Sequence, residues 1–132
     1  MFGGKKKLTA GTIDSLIGIG TVITGDIRFK GGLRIDGNVI GNVLAEEGAQ
    51  SMLVLSENAR VTGSVVAHHI VVNGAIDGPV NAAELIELQP KAKIQGNITY
   101  KALEMHHGAV VEGTLSHTDS AKPSLKLAAS ND

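Results

Sequence analysis

A short phrase, aliphatic, polar, glycine, polar, aliphatic, returns six times in this chain and constrains its fold more than any other feature. Ile23, Gly25 and Ile27 frame the first copy. Gly41 with Val39, Ile40 and Val43 forms an imperfect second. The others are Val61–Gly63–Val65, Ile76–Gly78–Val80, Ile94–Gly96–Ile98 and Val111–Gly113–Leu115. Successive glycines lie 16, 22, 15, 18 and 17 residues apart. A period of roughly 18 residues implies a supersecondary unit that stacks on copies of itself.

A second phrase precedes each later glycine. It pairs Leu33 with Ile35, Leu53 with Leu55, Ile70 with Val72, Ile86 with Leu88, and Leu103 with Met105. Inside both phrases apolar residues alternate with period two, which is the period of a strand. No stretch of residues 16–115 keeps a helical period for three turns; residues 81–88 come nearest and are too short. Each repeat therefore holds two or three short strands separated by bends.

The dipeptides Asp36-Gly37, Asn73-Gly74 and Asp77-Gly78 are hairpin signals elsewhere. Here they recur in phase with the repeat and read as corners. Strands this short find partners if each pairs in parallel with its counterpart one coil away, at ~4.8 Å. The expected fold is all-β: a right-handed parallel β-helix of about six coils, triangular in cross-section and roughly 25–30 Å long, flanked by disordered tails. Composition supports a narrow interior. Aromatics make up only 2% of the chain, namely Phe2, Phe29 and Tyr100, so Val, Ile, Leu and Ala must fill the core. A β-sandwich would need hairpin turns in place of the repeat.

The stretch TVITGDIRFKGGLRIDGNVIGNV, residues 21–43, resembles the start of the bactofilin core, and ARVTGSV and AKIQGNI resemble its later coils. The likeness spans about residues 16–116. It divides the chain into a flexible N-terminal tail (1–15), a β-helix core (16–116) and a disordered C-terminal tail (117–132). The resemblance implies a bacterial cytoskeletal protein that polymerises without nucleotide on the inner face of the cytoplasmic membrane. It further implies scaffolding of cell-shape or cell-wall factors, with cell-wall enzymes or other proteins as clients. The competing reading is a left-handed hexapeptide-repeat acyltransferase, whose coils also take about 18 residues. Ile17, Ile23, Phe29 and Ile35 keep its six-residue period, but Gly41 and Glu47 break it.

Chemistry is sparse. There is no phosphate-binding GxxxxGK[ST], no HExxH and no GxSxG. No catalytic residue, cofactor or metal site is expected, and the chain is read as a non-enzyme. The doublets His68-His69 and His106-His107 place adjacent side chains on opposite faces of a strand, so neither doublet chelates as a pair. Asp26, Asp36 and Asp77 read as turn or solvated residues, and Glu46-Glu47 as a surface loop. The net charge of −1 and the lack of a stacking platform argue against nucleic-acid contact. The chain has no cysteine, which fits a reducing compartment. Asp14 and three glycines interrupt the apolar run after the lysines, so it does not read as a signal peptide. The expectation is a soluble cytosolic protein, peripheral at the membrane.

Two sets of residues carry the expected function. Met1, Phe2, Lys5, Lys6 and Lys7 form a membrane-targeting peptide for anionic lipids, combining an apolar end with three cations. A β-helix also has two open ends. Ile17, Ile19, Val22 and Phe29 at one end, and Leu103, Met105, Val111 and Leu115 at the other, are the expected interface for end-to-end self-association.

Overall fold

The structure is a computed structural model that describes residues 13–48 and 50–118. These residues contain strands and no helix. The strands are β1 (Ser15–Ile17), β2 (Val22–Thr24), β3 (Ile27–Phe29), β4 (Gly31–Ile35), β5 (Asn38–Ile40), β6 (Val43–Ala45), β7 (Ser51–Leu55) and β8 (Arg60–Thr62). They continue as β9 (Val65–Val72), β10 (Ala75–Asp77), β11 (Val80–Leu88), β12 (Lys93–Gln95), β13 (Ile98–Met105), β14 (Val110–Glu112) and β15 (Leu115–His117).

All pairings are parallel and join each strand to its counterpart one coil away. They sort into three ladders, one for each side of the coil. The first side runs through β1, β4, β7 and the second halves of β9, β11 and β13. The second side is β2, β5, β8, β10, β12 and β14. The third side is β3, β6, the first halves of β9, β11 and β13, and β15. Six strands per ladder make six coils, one for each glycine phrase. The molecule is a parallel β-solenoid, as the repeat predicts.

Alternation determines what the interior holds. Leu33, Leu53, Ile70 and Ile86 stack in one inward row of the first side, and Ile35, Leu55, Val72 and Leu88 in the next. Val39, Val61, Ile76 and Ile94 line the second side; Val43, Val65, Val80 and Ile98 line the third. These aliphatics are all but fully buried. A coil this narrow has no room for rows of rings, which explains the near absence of aromatics.

The corners differ in construction. Between the second and third sides stand Gly25, Gly41, Gly63, Gly78, Gly96 and Gly113, with φ from +128° to +157°. In each of the last five, a Cβ would meet the carbonyl oxygen of the ladder glycine one coil earlier. Both the backbone angle and the close approach therefore exclude a side chain. The residue after the glycine often caps the next coil. Asp26 Oδ1 accepts from the Asn42 amide at 3.0 Å, Asn42 Oδ1 from the Ser64 amide at 2.9 Å, and Asn97 Oδ1 from the Thr114 amide at 3.0 Å. Where Pro79 follows Gly78, there is no amide to cap.

The corner between the first and second sides is long in some coils and short in others. Four-residue turns close with amide-to-carbonyl bonds from Thr21 to Gly18, Ala59 to Ser56, Ala92 to Gln89 and Ala109 to His106. Gly37 and Gly74 make the tighter corners and sit under the carbonyls of the long turn before them. These long and short turns, together with residues 46–50 between β6 and β7, produce the uneven glycine spacing and break any six-residue period. The corner between the third and first sides runs within β9, β11 and β13. In β11 the register shifts between Ala82 and Leu85, leaving Ala83 and Glu84 as a bulge. That bulge explains why residues 81–88 lack clean alternation.

Candidate functional site

The core rows end abruptly at both ends of the solenoid. At the N-terminal end β1, β2 and β3 each pair with a single strand. At the C-terminal end the same holds for β14, β15 and the second half of β13. Each end therefore shows unpaired backbone and the last members of the inward rows.

Ile17 is the half-buried last member of its row at the N-terminal end. Leu103, Met105, Val111 and Leu115 occupy the matching inward positions at the C-terminal end. Met105 is 47% and Leu115 43% exposed, although their row neighbours are buried. The other expected residues lie elsewhere. Ile19, 70% exposed, stands in the corner turn of the first coil. Val22 is 61% exposed on the flank, because the inward position of β2 belongs to Ile23, which stacks on buried Val39. Phe29 requires a correction: it is only 9% exposed and forms part of the core. Its inward position beside the corner that leads to the second coil covers the ring. Sequence reading also passed over Ile23 and Ile27, half-buried members of the N-terminal end face that the alternation around Gly25 identifies. Met1, Phe2, Lys5, Lys6 and Lys7 lie outside the described residues. Among the described residues, no helix is long and apolar enough to cross a membrane.

A family model described as bactofilin, polymer-forming cytoskeletal, matches residues 15–116. The chain belongs to the bactofilin family. Its structure is similar to that of Thermus thermophilus bactofilin, determined by cryo-electron microscopy in double helical filaments. The two share 32% identity over 76% of this chain and 98% of that one, with a TM-score of 0.68. It is also similar to the cytoskeletal bactofilin BacA, solved by solid-state NMR, with 29% identity over 79% of this chain and 95% of that one and a TM-score of 0.68. No curated protein matches the chain. The family is a polymer-forming cytoskeletal one.

Polar side chains on this bactofilin solenoid are mostly spent on corners. Ser51 is buried; its Oγ accepts from the His68 amide at 3.0 Å and lies 3.0 Å from His68 Nδ1. His69 Nε2 is buried without a partner. Arg34 Nε donates to Asp36 Oδ1 at 2.9 Å, and the guanidinium holds the Asp36 carboxyl below its usual value. Ser56 adds to that effect, and desolvation opposes it.

One cluster escaped sequence reading. Glu87, Glu104 and His106 bring their ligand atoms within 4.8 Å of one another, with His106 Nε2 3.2 Å from Glu87 Oε2. Glu87 and Glu104 are register partners on adjacent coils, where like charges repel. The three groups have the chemistry to hold a divalent cation at the last coil, though two of them are exposed. The stacking of residues 87 and 104 was the available signal, because the local repeat is 17 residues.

Proposed function

We propose that this chain is a non-enzymatic scaffold subunit that polymerises end to end, without nucleotide, into filaments on the inner face of the cytoplasmic membrane. The exposed ends of the core rows, framed by unpaired strand edges, carry this reading. Covering one such aliphatic contributes ~1.5–3 kcal/mol. Each end offers several of them together with backbone groups in register to continue the ladders. Family membership and the filaments of the Thermus thermophilus relative support polymerisation.

The N-terminal peptide is the proposed membrane contact and anionic lipids its ligand. Cell-shape or cell-wall factors are the proposed clients. No cofactor enters the scheme, because assembly requires only apolar burial and strand pairing. Negative-stain electron microscopy tests the reading. Wild-type protein is expected to form filaments with or without ATP or GTP, and Met105→Arg or Leu115→Arg to form short species with intact β signal. Strict nucleotide dependence, or unchanged filament length in both variants, overturns it.

A further inference from the structure

The third side of the solenoid turns one column of side chains outward: Arg28, Leu44, Val66, Asn81, Thr99 and Ser116 from the first coil to the last. Its members are polar except Leu44 and Val66, which are register partners. Val66 is 38% exposed and Leu44 half-buried. Beside them the chain turns from β6 to β7 through residues 46–50, the longest connection between strands among the described residues. Glu46 and Glu47 open that turn and are exposed. A groove of about 430 Å³ lies between turn and column, with Leu44, Ala45 and Val66 as its apolar part, Glu46 and Glu47 on one wall and Arg28 at one end. Among the described residues neither carboxylate is in an ion pair.

The groove lies close to the point where the N-terminal segment enters the fold. The Asp14 amide donates to the Gly32 carbonyl at 2.9 Å, and the Gly32 amide donates to the Asp14 carboxylate at 3.0 Å. These bonds fix the entry at the corner between the third and first sides, the corner that residues 46–50 also turn. Gly32 is in turn the register partner of Met52, just after that turn, so two rungs, about 10 Å, separate the entry from it. From Lys7 to Asp14 is a step of seven residues, which spans up to about 23–25 Å. The segment before Ile13 lies outside the described residues. Its sequence begins MFGGKKKL and sets three adjacent cations between two apolar side chains, Phe2 and Leu8.

We propose that residues 2–8 dock in this groove when the subunit is off the membrane, with Lys5, Lys6 and Lys7 against Glu46 and Glu47 and Phe2 over Leu44 and Val66. The inference rests on the lipid contact proposed above and adds its regulation: a docked peptide is withheld from lipid. Phe2 is three residues from Lys5, about 10 Å when extended, which suits a groove one or two rungs wide. Arg28 repels the lysines and so favours one direction of lay. Residues 119–132, also outside the described residues, fit less well. Lys122 and Lys126 are offset there by Asp119 and Asp132, and the last coil lies four rungs, about 19 Å, from Leu44. Docking scales the apparent lipid affinity by the undocked fraction. Exposed ion pairs are individually weak, so an anionic surface draws the peptide out.

Carbodiimide coupling, which joins a lysine amine to a carboxylate with loss of water, tests the docking on the full chain. Mass spectrometry is expected to find Lys5, Lys6 or Lys7 joined to Glu46 or Glu47. In a mixture of isotope-labelled and unlabelled protein, each joined pair is expected to carry a single label, because both partners belong to one chain. Phosphatidylglycerol vesicles are expected to lower the yield several-fold, and phosphatidylcholine vesicles to leave it unchanged. The double variant Glu46→Gln with Glu47→Gln is expected to sediment with phosphatidylglycerol vesicles at roughly two- to tenfold lower lipid concentration than wild type. Glu57→Gln with Asp77→Asn, which removes two exposed carboxylates away from the groove, is expected to sediment like wild type. Absence of the links, or links only between labelled and unlabelled chains, overturns the docking. So does a Glu46 and Glu47 variant that matches a lipid-bound wild type. Links within one chain in a protein that no vesicle sediments would count against the lipid contact instead, so the two failures are distinguishable.

Discussion

Gly78 lies against Gly63 so closely that the position of its missing Cβ coincides with contact to the Gly63 carbonyl oxygen. Its φ of +153° adds a second obstacle to any side chain. Gly78→Ala therefore carries a conformational penalty of ~1–2 kcal/mol and an overpacking penalty of ~1–3 kcal/mol. Gly25 has φ +128° but open space around its Cβ position. Gly25→Ala is expected to lose only the smaller amount. Chemical denaturation of the two variants measures the difference, and equal losses would show that the corner relaxes around an added methyl.

Phe29 and Met105 are expected to respond in opposite ways to substitution. Phe29→Ala opens a hole in a closed core and should cost about 3–5 kcal/mol of stability. Met105→Arg sits at a half-exposed end and should cost little stability while shortening filaments. Thermal melts combined with filament lengths separate the two outcomes. A Phe29→Ala protein that melts like wild type would return Phe29 to the end surface.

Asp36 provides the pH dependence. Its folded-state carboxyl is held below the ordinary value of 3.8, chiefly by the Arg34 bond. A depressed acid stabilises the fold above its unfolded pKa, and that contribution is lost as pH falls through the folded value. The exposed Arg34 side chain keeps the effect modest. Asp36→Asn should lower the melting temperature slightly at pH 7, and that loss should fade as pH falls below the ordinary carboxylate value. Melts across that range check the sign.

Membrane attachment should depend on assembly. Phe2 can contribute at most ~1.5–3 kcal/mol at the lipid interface, and each of Lys5, Lys6 and Lys7 ~1 kcal/mol on an anionic leaflet. The total, about 5 kcal/mol, corresponds to roughly millimolar binding of one subunit. A filament presents many such peptides and gains from their effective concentration. Deleting residues 2–7 should release filaments from anionic liposomes without preventing polymerisation, and high salt should weaken binding. Co-sedimentation measures both. Equal pelleting of wild type and deletion would assign the attachment elsewhere.

Much of this fold is readable from the order of residues because a solenoid repeats its instructions. Val61, Ile76 and Ile94 announce one inward row, and the glycine two positions after each announces the corner. Burial of individual side chains was less legible. Phe29 and Ile17 share the same six-residue spacing pattern, yet one is covered and the other is not, because corner geometry decides what folds over the end. Val22 looks like Ile23 in composition, and the alternation around Gly25, matched by the register with Val39, shows which of them points inward. Long-range neighbours on the outer face of the first side were hidden for a related reason. Arg34 and Glu87 are 53 residues apart in the chain, and their place on one face follows from the full series of strand registers.

The parallel ladders also bear on mechanics. Strands cross the long axis of the solenoid, so the hydrogen bonds between coils lie along that axis. Tension along the rod loads those bonds end-on and in series, and the weakest layer alone sets the breaking force. Compression and bending press the rungs and the aliphatic rows against each other, where close packing resists deformation. A polymer of such units behaves as a strut or a curved template more readily than as a cable, and under pull it yields first at the contact between one unit's last coil and its neighbour's end.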